Sequence, residues 1–302
     1  MLKVGLASEA ALHEKYVLRR IDPRRQRRQG NAFATMPIYL PPDFSKLEAV
    51  SCGKLIDQAY AQFTQAKDPH PGAPPWTIQD GYTNHGSFSA IEQGKVLPFG
   101  FVASKDSQLF VVIRGTQTPL EWLDDASIQP QPFINGWGST TSGFLRLHNQ
   151  VFPTIEKLVS ENQGAANHVF VTGHSLGAAL ANLATANLIG SGLVQSAKLT
   201  AYTFSGPRTG NPAFAAKFNQ TVTKAWRVFN TEDLVPTLPL STIDNDPKSL
   251  GLLDTNIELV LKLFFKPSPF LFQHVDSPFA LTYQLNTVAD NHNLTQLYSR
   301  LG

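Results

Sequence analysis

Cysteine is almost absent: the 302-residue chain has one, Cys52. A lone thiol closes no intrachain disulfide, which excludes the small disulfide-stapled secreted folds and favours a reducing compartment. Cys52 is therefore expected as a small buried hydrophobe. Charge is sparse as well, at 16% of residues where about a quarter is usual. Long apolar runs are missing: the best, Leu259 to Phe272, is interrupted by Lys262, Lys266, Pro267 and Pro269 and falls short of the roughly 20 residues that span a bilayer. No internal repeat occurs. None of the eight histidines has zinc-like spacing, so no metal is expected.

What is present suits a large soluble core, with 42% hydrophobic residues and a mean hydropathy of -0.13. The net charge of +2 conceals an asymmetry. Residues 1–34 hold eight Lys/Arg against three Asp/Glu, so the remaining 268 residues sum to -3. We expect residues 1–40 to form a basic N-terminal arm and 41–302 a single domain. The cluster Arg19 to Arg28 suits either a solvated arm or peripheral contact with an anionic lipid surface. The basic residues stop there and no aromatic-basic platform follows, so nucleic acid is not an expected partner. No apolar stretch of signal-peptide length follows the arginines, which points to a cytoplasmic location.

Beyond the Pro-rich stretches Pro37 to Pro42 and Asp68 to Pro75, the pattern alternates. Apolar residues at helical spacing predict helices over Leu47 to Gln65, Gln150 to Glu161 and Leu176 to Ile189. Short β-rich runs predict strands at Leu97 to Ala103, Leu109 to Arg114, His168 to Thr172, Lys198 to Phe204 and Ala225 to Asn230, the first two joined as a hairpin. Strands alternating with helices imply an α/β fold built on a mostly parallel sheet.

The most informative window is Gly173-His-Ser175-Leu-Gly177. A β-branched strand leads in and an Ala-rich helix leaves, the strand-turn-helix context of a nucleophile elbow, which presents Ser175 beside helix-start N–H groups. The bland alternative is a glycine-rich turn with Ser175 as a helix cap. A serine needs a base and the base an orienting acid, in the chain order Ser, acid, His for this architecture. Asp233, directly after the strand Ala225 to Asn230, is preferred to Glu232 in the same loop; downstream histidines are His274 and His292. One oxyanion donor is expected from the N–H of Leu176, next after the nucleophile.

Six blocks in order carry a resemblance: Val112-Ile-Arg-Gly-Thr116 with Trp122 after it, Ser142-Gly-Phe144, Gly173 to Gly177, Phe204-Ser-Gly-Pro-Arg208-x-Gly-Asn211, Asp233-x-Val-Pro-x-Leu-Pro239, and His292 followed by Tyr298. Together they resemble the class 3 lipases, the α/β-hydrolase family that includes fungal triacylglycerol lipases. The resemblance implies an α/β-hydrolase fold with Ser175 as nucleophile, Asp233 as acid and His292 as base. It leaves His274 a structural role, and makes Thr116 the second oxyanion donor. It further implies a lid over 117–128, with Trp122 and Leu123 on its apolar side; a fixed surface helix is the alternative. Two departures stand out: Glu121 precedes Trp122 where relatives more often have Asp, and Thr141-Ser142 stand where many have His. His174 is expected to face away from the pocket and pack, with His148 and His168 in the core or at the surface. The apolar stretch Leu252 to Phe272 is either an acyl-chain wall or plain core.

The expected activity is hydrolysis of carboxylic esters of acyl lipids through an acyl-enzyme, with no cofactor. A phospholipase A1 or galactolipase on the same triad is the same-class alternative. A catalytically silent lipid-binding scaffold, and a peptidase or thioesterase, are the others.

Overall fold

Ser45 starts the first helix: its Oγ accepts from the Glu48 N–H at 3.3 Å, and Lys46–Lys67 (α1) follows. The computed structural model describes residues 40–72, 74–92, 94–116, 129–239 and 271–302, and elements are numbered among these. Strands β1 (Thr83–Glu92), β2 (Lys95–Lys105) and β3 (Gln108–Ile113) form an antiparallel meander. Asp106 and Ser107, at φ 50° and 59°, make the two-residue turn between β2 and β3, the left-handed pair that matches strand twist in a tight hairpin. A small ribbon, β4 (Pro130–Pro132) with β5 (Ser139–Thr141), precedes α2 (Ser142–Asn162). Then come β6 (His168–His174), α3 (Leu176–Gly190), β7 (Leu199–Phe204), α4 (Pro212–Thr221), β8 (Ala225–Asn230), β9 (Ser277–Leu281) and the short helices α5 (Val288–Asn291) and α6 (Leu294–Tyr298).

The described residues hold a seven-stranded sheet in the order β1-β2-β3-β6-β7-β8-β9, parallel from β3 onward. Alternation along each central strand sends side chains to two cores. Leu109, Val111, Ile113, Val169, Val171 and Ala201 pack with residues of α2, α3 and α4. Phe110, Val112, Phe170, Tyr202, Phe204, Trp226 and Val228 pack with Cys52, Leu55, Ile56 and Ala59 of α1 and with Leu294 and Leu297 of α6. The central strands are therefore apolar on both faces, as a helix-covered parallel sheet requires. Each fully buried Leu, Val or Phe contributes about 1.5 to 3 kcal/mol. Cys52 is among them, and burial pushes its thiol far above the usual range.

Helix α2 begins eight residues before the expected start, because Thr141 caps it, accepting from the Phe144 N–H at 3.1 Å. That extension encloses His148. The Asn187 amide donates to His148 Nε2 at 2.8 Å, so the ring proton sits on Nδ1, which has no partner. Burial lowers the His148 pKa to about 3. The unfolded chain, with histidine near 6.5, takes up that proton first. Stability is therefore complete above pH 6.5 and falls as the pH drops toward 3, by roughly 1 kcal/mol per unit for this one group. Urea unfolding at pH 7 and pH 4.5 should show a smaller acid penalty in His148→Gln than in the parent chain; equal penalties would contradict the assignment. His274, also lowered to about 3 by burial first and by Arg227 next, keeps part of the slope in both proteins.

Candidate active site

Strands β6, β7 and β8 end side by side, and Ser175 and Asp233 lie just beyond their C-terminal edge. β6 hands over to α3 through Ser175, whose φ of 57° and ψ of -129° place it in strained backbone. Such strain costs of order 1 to 3 kcal/mol and persists only where the surroundings enforce it. Here the Ser175 N–H donates to Phe204 O at 2.9 Å, and its carbonyl accepts from the Ala178 N–H at 3.0 Å. The flanking glycines are needed for close approach. A Cβ on Gly173 would lie 2.2 Å from Gly177 O, and one on Gly177 would lie 2.4 Å from Arg114 O. Ser175 makes no side-chain cap, so the capping alternative is set aside. Its Oγ is buried without a hydrogen-bond partner among the described residues. The Leu176 N–H, at the first position of a 15-residue helix, lacks an intrahelical acceptor and lies at the positive end of the helix dipole.

Asp233 sits three residues beyond β8 and its side chain is fully buried. Its Oδ1 accepts from the Val235 N–H at 3.0 Å, and its Oδ2 lies 2.7 Å from His292 Nδ1. A carboxylate only accepts, so His292 donates from Nδ1; the neutral ring then has its lone pair on Nε2, which is buried and also without a hydrogen-bond partner among the described residues. Glu232 is exposed, and its Oε1 accepts from Thr231 Oγ1 at 3.4 Å. His274 donates from Nε2 to Pro236 O at 2.7 Å, so the structure brings His292 and not His274 to Asp233. Asn230, at the end of β8, ties the two loops together. Its amide donates to Asn291 O at 3.3 Å, while its oxygen accepts from the N–H groups of Glu232 and Tyr283.

The loop after β3 closes on the elbow from the other side. A Cβ on Gly115, next before Thr116, would be 2.8 Å from Ser175 Cβ. Arg114 secures that loop from within the core. Its guanidinium is buried between Phe63 and Phe99, with ring centroids 3.7 and 4.3 Å away, and its Nε donates to Pro98 O at 2.7 Å. Trp122 and Leu123, and the acyl-wall candidates between Leu252 and Phe270, lie outside the described residues. Of the last two apolar positions in that stretch, Phe272 is fully buried and Leu271 is 52% exposed.

His174 corrects the expectation of mere packing, since both of its ring nitrogens are hydrogen-bonded. Nδ1 lies 2.8 Å from Tyr60 Oη, and Nε2 lies 3.0 Å from His292 O. Half-buried His168 pairs with Thr200 Oγ1 at 2.7 Å. Tyr60 and Asn230 belong to the site's framework and no sequence motif marks them. Tyr60 reads only as a polar position in an amphipathic helix.

The chain is similar to known lipases and phospholipases A1. A lipase of Caenorhabditis elegans is 35% identical over 144 residues, 46% of this chain and 41% of that protein. A chloroplastic/mitochondrial phospholipase A1 of Oryza sativa subsp. indica is 33% identical over 159 residues, 43% of this chain and 36% of that protein. The chain thus spans less than half the length of these curated relatives. The solved structure of the Rhizomucor miehei triacylglyceride lipase superposes with a TM-score of 0.56 at 22% identity, covering 78% of this chain and 80% of that one. That likeness identifies the fold as the α/β-hydrolase fold. The family model described as Lipase (class 3) matches residues 110–243, a span with Thr116, the Ser175 elbow and Asp233 inside it and His292 outside. Over that span the chain is similar to the class 3 lipases.

Proposed function

We propose that the protein is a serine hydrolase that cleaves carboxylic esters of acyl lipids. One observation carries the reading above the others. A buried Asp233–His292 pair, 2.7 Å apart, leaves His292 Nε2 without a partner among the described residues, at the strand edge where a strained turn presents Ser175 Oγ, equally unpartnered among them. Nucleophile, acid and base come from the segments that follow β6, β8 and β9.

In the mechanism, Ser175 Oγ attacks the ester carbonyl as His292 Nε2 takes its proton. Asp233 holds the Nδ1–H and steadies the imidazolium. The oxyanion lies against the Leu176 N–H, at the start of α3, and against Thr116; losing one such donor typically raises the barrier by about 3 to 4 kcal/mol. His292 then protonates the leaving alcohol, and water, activated by the same ring, releases the fatty acid. Exposed Leu234 beside Asp233, and exposed Val288 on the turn leading to His292, support a mouth that meets an apolar lipid phase.

Long-chain acylglycerols are the first substrate class, in line with the lipase among the relatives. Phospholipids are the second, favoured by the plant phospholipases A1 among them. A fluorophosphonate probe should modify Ser175, as read by peptide mass spectrometry, and tributyrin or phosphatidylcholine should be hydrolysed faster than acyl-CoA or a peptide. An unlabelled Ser175 in folded protein would leave a silent lipid-binding scaffold as the better reading.

A further inference from the structure

Helix α1 lies outside the family-matched span and takes no part in the steps above. Yet one of its faces, Gly53, Asp57 and Tyr60, spaced i, i+4 and i+7, is built onto the segment that carries His292. Tyr60 Oη accepts from the Gly115 N–H at 3.0 Å and lies 2.8 Å from His174 Nδ1. The other nitrogen, His174 Nε2, is 3.0 Å from the His292 carbonyl, which can only accept. The proton of a neutral His174 is therefore on Nε2, its Nδ1 is an acceptor, and the phenolic proton points at it. Burial first, and neighbouring His292 second, hold the His174 pKa well below the usual histidine value, which keeps this single arrangement. Asp57 holds the same segment from its far side: its Oδ2 accepts from Tyr298 Oη at 2.6 Å and from Thr295 Oγ1 at 3.1 Å, both in α6. A Cβ on Gly53 would lie 2.5 Å from the Tyr298 ring, so that helix packs directly on α1.

We propose that Tyr60 is a positioning residue for ester cleavage: through His174 it fixes the backbone that carries the His292 imidazole, and through the Gly115 N–H it fixes the turn that presents Thr116. The proposal rests on the hydrolase reading. One hydroxyl thereby sets the base and the oxyanion side of the site to a common reference. A misplacement of about 1 Å at such a site lowers the rate about a hundredfold.

The test is Tyr60→Phe, which keeps the ring packed edge-on against His174. The kcat for a short-chain p-nitrophenyl ester and the rate of fluorophosphonate labelling at Ser175 should both fall by about ten- to a hundredfold, with KM changed less than about twofold. In ¹⁵N-histidine spectra the His174 Nδ1 signal should move toward that of an acceptor with no donor facing it, while the Nε2–H form set by the His292 carbonyl is kept. A purely structural tyrosine would lower the yield of active protein but would leave kcat per labelled site unchanged, and that result overturns the proposal. If Tyr60→Phe does not fold, His174→Asn replaces it. That variant keeps an acceptor for Tyr60 but severs the link to His292, so a kcat within twofold of the parent value is the overturning result. Failure of the hydrolase reading is separately visible, because the parent chain would then not be labelled at all.

Discussion

Ser175→Ala should abolish ester turnover, with kcat falling by about 10⁶ and whatever residual rate remains owed to the oxyanion donors and to binding. The fold should be untouched. Ser175 Oγ makes no hydrogen bond to any described group and does not cap α3, so its removal breaks no contact and relieves a buried hydroxyl of its desolvation. Alanine occupies the same left-handed backbone at no extra strain beyond that of serine. The expected pair of measurements is therefore baseline hydrolysis of a p-nitrophenyl ester together with a thermal midpoint at or slightly above that of the parent. Parent-level activity in the variant would remove Ser175 from the chemistry.

Asp233→Asn should lower kcat by about 10⁴ with little change in KM. The replacement is nearly isosteric, so the Val235 N–H keeps an acceptor at the Oδ1 position. What changes is the group facing His292 Nδ1 at 2.7 Å, where an amide NH₂ can stand in place of a carboxylate oxygen. The ring is then driven to the tautomer with its proton on Nε2, the one that cannot accept from Ser175. Asparagine also carries no negative charge to offset the imidazolium as it forms. Glu232→Gln, in the same loop but exposed, should leave kcat within twofold and serves as the control. Equal losses in the two variants would mean that the loop, and not the buried carboxylate, matters.

The two variants differ in how visible their targets are in the chain. Ser175 is announced locally, because close approach of backbones at Gly173 and Gly177 admits no side chain and a β-branched strand passes directly into an Ala-rich helix. Asp233 is legible as the acid that follows a strand. His292 is not legible from its own neighbourhood: Asn291-His-Asn has no periodicity or turn signature, and order along the chain left His274 equally eligible until the family resemblance was weighed. Several elements were equally quiet. β9 begins Ser277-Pro278 and survives as a strand because it lies at the sheet edge. β1 mixes polar residues with Phe88 and Ala90 and is also an edge strand. α4 does carry a local signal, Asn211 capping with Pro212 behind it, which hydrophobic spacing alone passes over.

Sequence by itself determined the α/β alternation, the apolar central strands and the strand-turn-helix bend at Ser175, and marked Asp233 as the candidate acid, because each is written in residues a few positions apart. Only the tertiary structure decided which histidine meets Asp233, that His174 is a hydrogen-bonded link and not mere filler, and that Tyr60 reaches the site from 114 residues away from His174. Those outcomes depend on where buried donors and acceptors come to face one another once the sheet is assembled. A proton's place on an imidazole is set by its partners in space, and residue order carries no record of them.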